Sequence, residues 1–178
     1  KKYRLVIDYR KLNSVTIADK YPMPTIDNIL IQLNESTLFS VIDLKSGFHQ
    51  IKLKEKDIEK TAFSVNNAKY EFKRLPFGLK NAPAIFQKAL DDVLREYIGK
   101  ICFVYIDDII IFSKNENDYL KHIELIFKTL ENANFKIQAD KCELMSEKVE
   151  FLGFLITKDG VKSNPEKVKA NKNKPFIV

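Results

Sequence analysis

The sequence contains little of what marks several common classes of protein. Its 178 residues include only two cysteines and two histidines, too few for a disulfide framework or a zinc site of recognisable spacing. No apolar run approaches the roughly 18 residues that a membrane-spanning helix needs. No internal repeat, low-complexity segment or Gly/Ser-rich linker divides the chain, which indicates a single domain over residues 1–178.

A secretory signal peptide is also missing, and the first residue is lysine rather than methionine. Because cysteines are so few, a reducing setting fits the chain better than secretion does. We therefore expect an intracellular protein that is not secreted, needs no membrane, and is an excerpt from a longer polypeptide.

Apolar and charged residues are abundant, at 45% and 30% of the chain. The 13 Phe and 7 Tyr exclude a disordered chain, because this composition can bury enough apolar surface to offset chain entropy. The net charge is +6 and the pI about 9.1. Such a balance permits a polyanionic partner without proving one.

Apolar periodicity predicts interleaved strands and helices. Predicted strands cover residues 3–8, 38–43, 61–65, 70–75, 101–105, 109–112 and 151–157. Predicted helices begin after Thr25, run from Asn81 to Gly99, and carry Leu120, Ile123, Phe127 and Leu130 on one face. Since several strands are joined by short hairpins, an α+β fold with an antiparallel sheet is favoured over a parallel one.

Three aspartates stand next to apolar strands, where an unpaired charge is costly to bury. Asp107 and Asp108 lie between two apolar runs, and Asp43 ends a third. Individually they could be solvated turn or strand-end residues. Together they would suit Mg²⁺, which takes carboxylate and phosphate oxygens, as in two-metal sites for displacement at phosphorus. Because neighbouring strand residues face opposite ways, we expect unequal roles for Asp107 and Asp108.

Seven short blocks follow one another along the chain. They are Tyr3-Arg-Leu-Val-Ile-Asp-Tyr-Arg-Lys-Leu-Asn13, Tyr21-Pro-Met-Pro24, Ser40-Val-Ile-Asp-Leu-Lys-Ser-Gly-Phe-His-Gln50, Leu75-Pro-Phe-Gly-Leu-Lys-Asn-Ala-Pro-Ala-Ile-Phe-Gln87, Tyr105-Ile-Asp-Asp108, Asp140-Lys-Cys142 and Phe151-Leu-Gly-Phe154. In this order and spacing they resemble the palm of a reverse transcriptase, and most closely that of gypsy-class LTR retrotransposons. The resemblance covers essentially the whole chain.

The resemblance implies a right-hand polymerase palm, with an antiparallel sheet backed by helices, plus partial fingers. The thumb, connection and RNase H regions of such polyproteins would be partners outside the chain. The implied activity is RNA-directed and DNA-directed DNA synthesis for retrotransposon replication, in the cytoplasm or in virus-like particles. Residues 1–178 alone would be weakly active or inactive.

By the same resemblance, Asp43, Asp107 and Asp108 would bind two Mg²⁺ ions, with Mn²⁺ as a substitute. The reaction would join a dNTP to the 3′-hydroxyl of a primer on an RNA or DNA template. Lys141 matches a region implied to donate a proton to the leaving pyrophosphate. The alternative for Lys141 is a surface ion pair with Asp140.

The resemblance also implies residues that hold the nucleotide. Arg4 would grip the triphosphate, and Ser46 and Gly47 would offer backbone N–H groups to its phosphates. Phe48 would lie under the sugar and leave no room for a 2′-hydroxyl, the group that distinguishes RNA from DNA precursors. From the residues alone, Arg4 could be a solvated charge and Phe48 a core residue.

Further residues would border the nascent base pair, the template and the primer. Phe77 and Gly78 would contact the nucleotide, although Phe77 stands where retroviral enzymes typically carry Gln. The predicted primer and template contacts are Asn81, Pro83, Tyr105, Leu152 and Gly153. The hairpin of residues 151–154 resembles a primer grip and is also compatible with an ordinary core hairpin.

Two other functions are compatible with parts of the pattern. A catalytically dead copy could retain nucleic-acid binding alone, against which the three intact aspartates argue. A related polymerase could use ribonucleotides, against which Phe48 argues. The tail of residues 164–178 departs from what the resemblance leads us to expect.

Overall fold

The computed structural model of the chain describes residues 6–33 and 35–163. The predicted triphosphate ligand Arg4 and the atypical tail therefore lie outside the described residues. None of the helices in the described ranges combines the length and apolar character that a membrane span requires.

Helices and strands alternate through most of the described chain. The helices are α1 (Arg10–Val15), α2 (Ile26–Gln32), α3 (Glu55–Ile58), α4 (Ala82–Leu94) and α5 (Glu116–Asn132). The strands are β1 (Leu38–Asp43), β2 (Phe63–Val65), β3 (Ala68–Tyr70), β4 (Cys102–Tyr105), β5 (Asp108–Ser113), β6 (Glu143–Ser146), β7 (Lys148–Phe151), β8 (Phe154–Thr157) and β9 (Gly160–Ser163). Short 3₁₀ turns are Gly47–Gln50, Glu59–Thr61 and Ala139–Lys141.

The central sheet has the strand order β4-β5-β1-β6, and its pairs are antiparallel. A two-stranded sheet of β2 and β3 and a three-stranded sheet of β7, β8 and β9 accompany it. The α+β fold with an antiparallel sheet is thus confirmed.

Each face of the central sheet packs against its own apolar cluster. The helix-side cluster contains Leu44, which follows β1, and buried residues of β1, β4, β5, α4 and α5, namely Ile42, Phe86, Leu90, Leu94, Cys102, Val104, Ile109, Ile111, Ile126 and Leu130. The hairpin-side cluster joins the opposite face to α2 and to β7 and β8, through Ile29, Leu33, Phe39, Phe103, Ile110, Phe112, Val149, Phe151 and Ile156. Alternation along β1 and β5 therefore sends successive side chains into different clusters.

The two long helices owe their position to apolar stripes. In α4, Phe86, Leu90 and Leu94 recur every four residues and are fully buried, as expected for a helix face that covers a sheet. In α5 the buried residues are Tyr119, Ile126 and Leu130, and Asn115 caps the helix by accepting a hydrogen bond from the N–H of Asp118 at 2.9 Å.

Several predicted boundaries are wrong. Residues 6–9 have no regular structure, so the described end of the predicted strand 3–8 is not a strand. The α4 helix ends at Leu94 because its last carbonyl groups accept hydrogen bonds from a turn, including Tyr97 N–H to Leu94 O at 2.9 Å. Leu120 is 54% exposed, because the buried face of α5 passes through Tyr119 instead.

The predicted hairpins also need correction in their details. The turn at Asn66 and Asn67 is present, but its second strand is Ala68–Tyr70 rather than 70–75. The predicted strand 151–157 is interrupted, because Leu152 and Gly153 form the turn between β7 and β8 with φ of 52° and 85°. Strand β6, which sequence periodicity did not predict, pairs with the free edge of β1 through a bulge.

Candidate active site

Asp43 and Asp108 lie side by side at one end of the central sheet. Asp43 is the last residue of β1, Asp108 is the first of β5, and the two are directly opposite in the antiparallel register. Side chains of opposed residues share a face of the sheet. That face is the hairpin side, because the next opposed pair on the same face, Val41 and Ile110, packs with the hairpin-side cluster.

Asp107 reaches the site from the turn between β4 and β5. Tyr105 and Asp108 pair across this turn, which leaves Ile106 and Asp107 as its two central residues. Ile106 has a φ of 56°, and a positive φ at the first central residue alone is the type II′ pattern. The turn therefore takes Asp107 out of strand alternation, and the expected unequal roles of Asp107 and Asp108 stay a prediction.

A buried side chain of α4 holds the turn between β4 and β5 in place. Gln87 of α4 is fully buried, and its Oε1 accepts a hydrogen bond from the N–H of Ile106 at 2.6 Å. A β-branched residue at positive φ is unfavourable and persists where surrounding contacts determine it. The Gln87 contact is one such constraint.

Gly47 packs against the carboxylate of Asp107. A Cβ atom on Gly47 would lie 3.5 Å from Asp107 Cβ and 3.5 Å from its Oδ2. The loop that follows Asp43 at the end of β1 thus returns to touch the β4–β5 turn. Gly47 N–H donates to Leu44 O at 3.2 Å, so the predicted contact of this N–H with a phosphate would require that bond to be given up. Ser46 precedes it at a φ of 57°.

Lys141 also lies at the site. Its Nζ is 3.2 Å from Asp43 Oδ2, and the two side chains are 55% and 30% exposed. The N–H of Gln138 donates to the Asp43 carbonyl at 2.9 Å, which fixes the 3₁₀ turn that carries Lys141. The ion pair of Lys141 is therefore with Asp43, and the predicted alternative pair with Asp140 is wrong. Asp140 instead accepts from the Gln138 side chain at 3.4 Å.

The donor set of the site is made of carboxylates. Within residues 6–33 and 35–163, no three His, Cys, Asp or Glu side chains are clustered closely enough to enclose a metal ion on their own. Carboxylate oxygens are the ligands that Mg²⁺ takes, and it usually completes its shell with water and substrate phosphates. The carboxylates present suit a hard divalent cation whose remaining ligands come from water and substrate.

Phe48 lies between the site and the core. Its ring centroid is 5.2 Å from that of Phe77 and 5.3 Å from that of the fully buried Phe86. Phe48 is itself only partly buried and packs against the helix-side cluster. Its predicted role as a gate against ribonucleotides stays a prediction, and its contact with Phe86 gives it a part in the core as well.

Asn81, a predicted template residue, is engaged in contacts within the chain. The Asn81 side chain accepts from Asp19 N–H at 3.0 Å and donates to Ile17 O at 2.8 Å. Asn13 similarly donates to Gly78 O at 2.8 Å. These amides hold the α1–α2 connection and the loop before α4 together. Pro83 lies in the first turn of α4, as predicted for a helix start.

The predicted primer-grip hairpin adjoins the carboxylate face. Leu152 and Tyr105 both pack against the hairpin-side cluster. The positive φ of Leu152 and Gly153 is the type I′ pattern that matches strand twist in two-residue hairpins.

The residues that sequence reasoning missed are those that support the site from behind. In the sequence, Gln87 is only the last residue of the block that begins at Leu75, and Asp91 belongs to none of the seven blocks. A signal was available, since Gln87 is a polar residue within the apolar stripe of α4 and such residues need hydrogen-bond partners when buried.

Comparison with known proteins gives consistent matches. The family described as Reverse transcriptase (RNA-dependent DNA polymerase) matches residues 1–156. The Retrovirus-related Pol polyproteins from transposons gypsy and opus of Drosophila melanogaster are 60% and 53% identical to the chain over 172 and 175 residues. These matches cover 97% and 98% of this chain and 17% of each polyprotein. The chain thus spans about a sixth of the length of these relatives.

Solved structures show the same fold. The foamy viral protease-reverse transcriptase in complex with RNA/DNA hybrid matches with a TM-score of 0.86 and 31% identity, over 97% of this chain and 24% of that one. A second form of it, in complex with double-stranded DNA, matches with a TM-score of 0.89 and 31% identity, over 99% of this chain and 31% of that one.

Proposed function

Because the chain belongs to the reverse transcriptase family, we propose that it is the catalytic palm, with part of the fingers, of a gypsy-class retrotransposon polymerase. The proposed reaction extends a primer on an RNA or DNA template with dNTPs. The observation that carries the proposal is the meeting of Asp43 and Asp108 in register beside the Asp107 turn. The identity to two retrotransposon polyproteins supports the biological setting.

The three aspartates would hold two Mg²⁺ ions, with Mn²⁺ as a substitute. Bound there, the ions would activate the primer hydroxyl and neutralise charge on the triphosphate. Asp43 and Asp108 contribute from rigid strands, whereas Asp107 contributes from a constrained turn. This arrangement lets two ligands stay fixed to the sheet while the third is set by the turn conformation.

Lys141 would exchange its partner during the reaction. The ammonium group now pairs with Asp43 at 3.2 Å, and a half-exposed pair of this kind adds little stability. The long side chain is free to turn from the carboxylate toward a phosphate, where it could deliver a proton to the leaving group. Pairing with Asp43 keeps the ammonium group near the site beforehand.

The remaining parts of the function would come from elsewhere in a polyprotein. Thumb, connection and RNase H regions would bind the duplex and degrade the template, since a net charge of +6 over the chain gives only modest affinity for phosphates. A retrotransposon origin would locate synthesis in the cytoplasm or in virus-like particles.

The test uses a chimera in which this chain replaces the matching segment of its gypsy relative. We expect DNA synthesis on an RNA template that requires Mg²⁺ and dNTPs and that disappears in Asp107→Asn. A chimera that binds primer–template but extends nothing, while the parent polyprotein is active, would instead indicate a binding-only copy. Preference for ribonucleotides would indicate the other alternative.

A further inference from the structure

A chain of hydrogen bonds runs from the segment before α2 to the turn that carries Asp107. Tyr21 OH donates to Asp91 Oδ2 at 2.8 Å, and Asp91 Oδ1 accepts from Gln87 Nε2 at 2.8 Å. Gln87 Oε1 then accepts from Ile106 N–H at 2.6 Å. We propose that Tyr21, Asp91 and Gln87 form a positioning relay that sets the β4–β5 turn for catalysis. The inference rests on the function proposed above for that turn.

The orientation of the Gln87 amide is determined by its partners. Its Nε2 donates both to Asp91 and to the Val104 carbonyl, the latter at 3.1 Å. A carboxylate and a carbonyl are acceptors only, and the Ile106 N–H is a donor only. If the amide were flipped, Oε1 would face two acceptors and Nε2 would face a donor. Asp91 therefore helps to keep Oε1 directed at the turn.

Asp91 is in turn held by Tyr21. The hydrogen bond to Asp91 raises the pKa of Tyr21 to about 12, so the phenol remains a donor throughout the neutral range. Tyr21 lies 70 residues from Asp91 in sequence, and the adjacent segment is fixed by Asn81 through Ile17 and Asp19. The relay thus joins the connection between α1 and α2 to the catalytic turn through α4.

The relay ends at a residue with an unfavourable backbone conformation. Ile106 holds a φ of 56°, which β-branched residues avoid. A bond to Ile106 N–H opposes relaxation of the turn, and relaxation would move Asp107 relative to Gly47 and Asp43. The competing explanation is that Gln87 and Asp91 only satisfy each other within the core. The two explanations differ in whether loss of the Asp91 side chain specifically weakens the hydrogen bond at the Ile106 N–H.

The first measurement is amide hydrogen exchange by NMR on the 178-residue chain. Asp91→Ala removes the middle of the relay, and Tyr21→Phe removes only the hydroxyl that donates to Asp91. Asp92→Ala is the matched control, because Asp92 is exposed and pairs with Arg95 on the outside of α4.

We expect exchange at Ile106 to accelerate about tenfold in Asp91→Ala and less in Tyr21→Phe, the loss of roughly one hydrogen bond. Exchange at Ile110, in the core of β5, reports global opening and should not change. Asp92→Ala should leave both amides unchanged. Ile106 exchange that is unaltered, or that changes only in parallel with Ile110, would overturn the relay.

The second measurement is pre-steady-state incorporation by the chimera. The relay predicts that Asp91→Ala lowers the burst rate about tenfold, as expected when a group that orients metal ligands is lost, with burst amplitude unchanged. A merely structural role would lower the amplitude, which counts folded enzyme, and leave the rate per active site intact; that result overturns the relay. An unmodified chimera without incorporation would count against the proposed function alone, because the exchange experiment judges the relay separately.

Discussion

The two faces of the central sheet differ most at the ends of β1 and β5. On the helix side, Ile42 and Ile109 are paired and fully buried. On the hairpin side, the next pair is Asp43 and Asp108, neither of which is fully buried. The apolar pair Ile42 and Ile109 anchors the two strands directly next to the charged pair Asp43 and Asp108, whose side chains project from the other face. A slip of one residue in register would exchange the two, so the core of one face fixes the carboxylates of the other.

This comparison predicts that the carboxylates at this end of the sheet serve activity rather than stability, and Asp107→Asn should have the largest effect. We expect loss of primer extension by the chimera, because the amide removes a charged metal ligand. Binding of primer–template should persist, since phosphate contacts elsewhere supply it. Asp43→Asn should behave alike and Asp108→Asn should be milder. Near-normal Mg²⁺-dependent extension by Asp107→Asn would contradict the assignment, and Asp159→Asn, in the exposed β8–β9 turn, is the control.

The helix side should show the converse. Ile111→Ala, at a fully buried position, should lower the free energy of unfolding of the chain by about 2–5 kcal/mol. Urea titration followed by circular dichroism measures this. The incorporation rate per folded molecule should remain close to normal below the transition. A large fall in that rate would mean that the two faces are not separable in this way.

Lys141 pairs with Asp43 at this end of the sheet, although it lies in a 3₁₀ turn and on neither face of the sheet. Its substitution therefore extends the comparison of the two faces. Lys141→Gln should lower the incorporation rate roughly a hundredfold if the amine donates a proton. Lys158→Gln is the matched control, since Lys158 also forms a half-exposed ion pair, with Glu147 at 3.0 Å. Equal and small effects of the two substitutions would reduce Lys141 to a surface ion pair.

Phe48 tests the boundary between the faces, because its ring contacts the helix-side cluster and adjoins the site. Phe48→Val should raise the use of an rNTP relative to its dNTP about tenfold, within the roughly hundredfold that an apolar wall can exert against a hydroxyl. The ratio of the two kcat/KM values on one primer–template measures it. An unchanged ratio with intact folding would assign Phe48 to the core.

The sequence predicted the parts of the site that depend on local pattern. The bounds of β1 were predicted correctly because its apolar run ends at a charged residue, and the hairpin at Asn66 and Asn67 followed from residues that tolerate positive φ. The α+β class followed from the interleaving of hairpins with helices.

What could not be predicted depends on contacts between distant residues. The conformation of Ile106 is set with Gln87, 19 residues away, and Lys141 meets Asp43 across 98 residues. Contacts between residues so far apart leave no periodic pattern in the sequence. The end of α4 was misplaced because apolar spacing continues to Tyr97, while the backbone bonds of the turn decide where the helix ends.

Gly47 illustrates what an absent side chain can contribute. Its φ lies outside the left-handed region, so the backbone there would accept alanine, and the added methyl would meet Asp107 at 3.5 Å, an ordinary contact distance. Glycine is therefore needed neither for the bend nor to prevent a clash. The lack of a side chain at Gly47 leaves space on one side of the Asp107 carboxylate. A methyl group there would displace the solvent around Asp107 Oδ2. Gly47→Ala should thus act on the hydration of Asp107, leaving the fold unaltered.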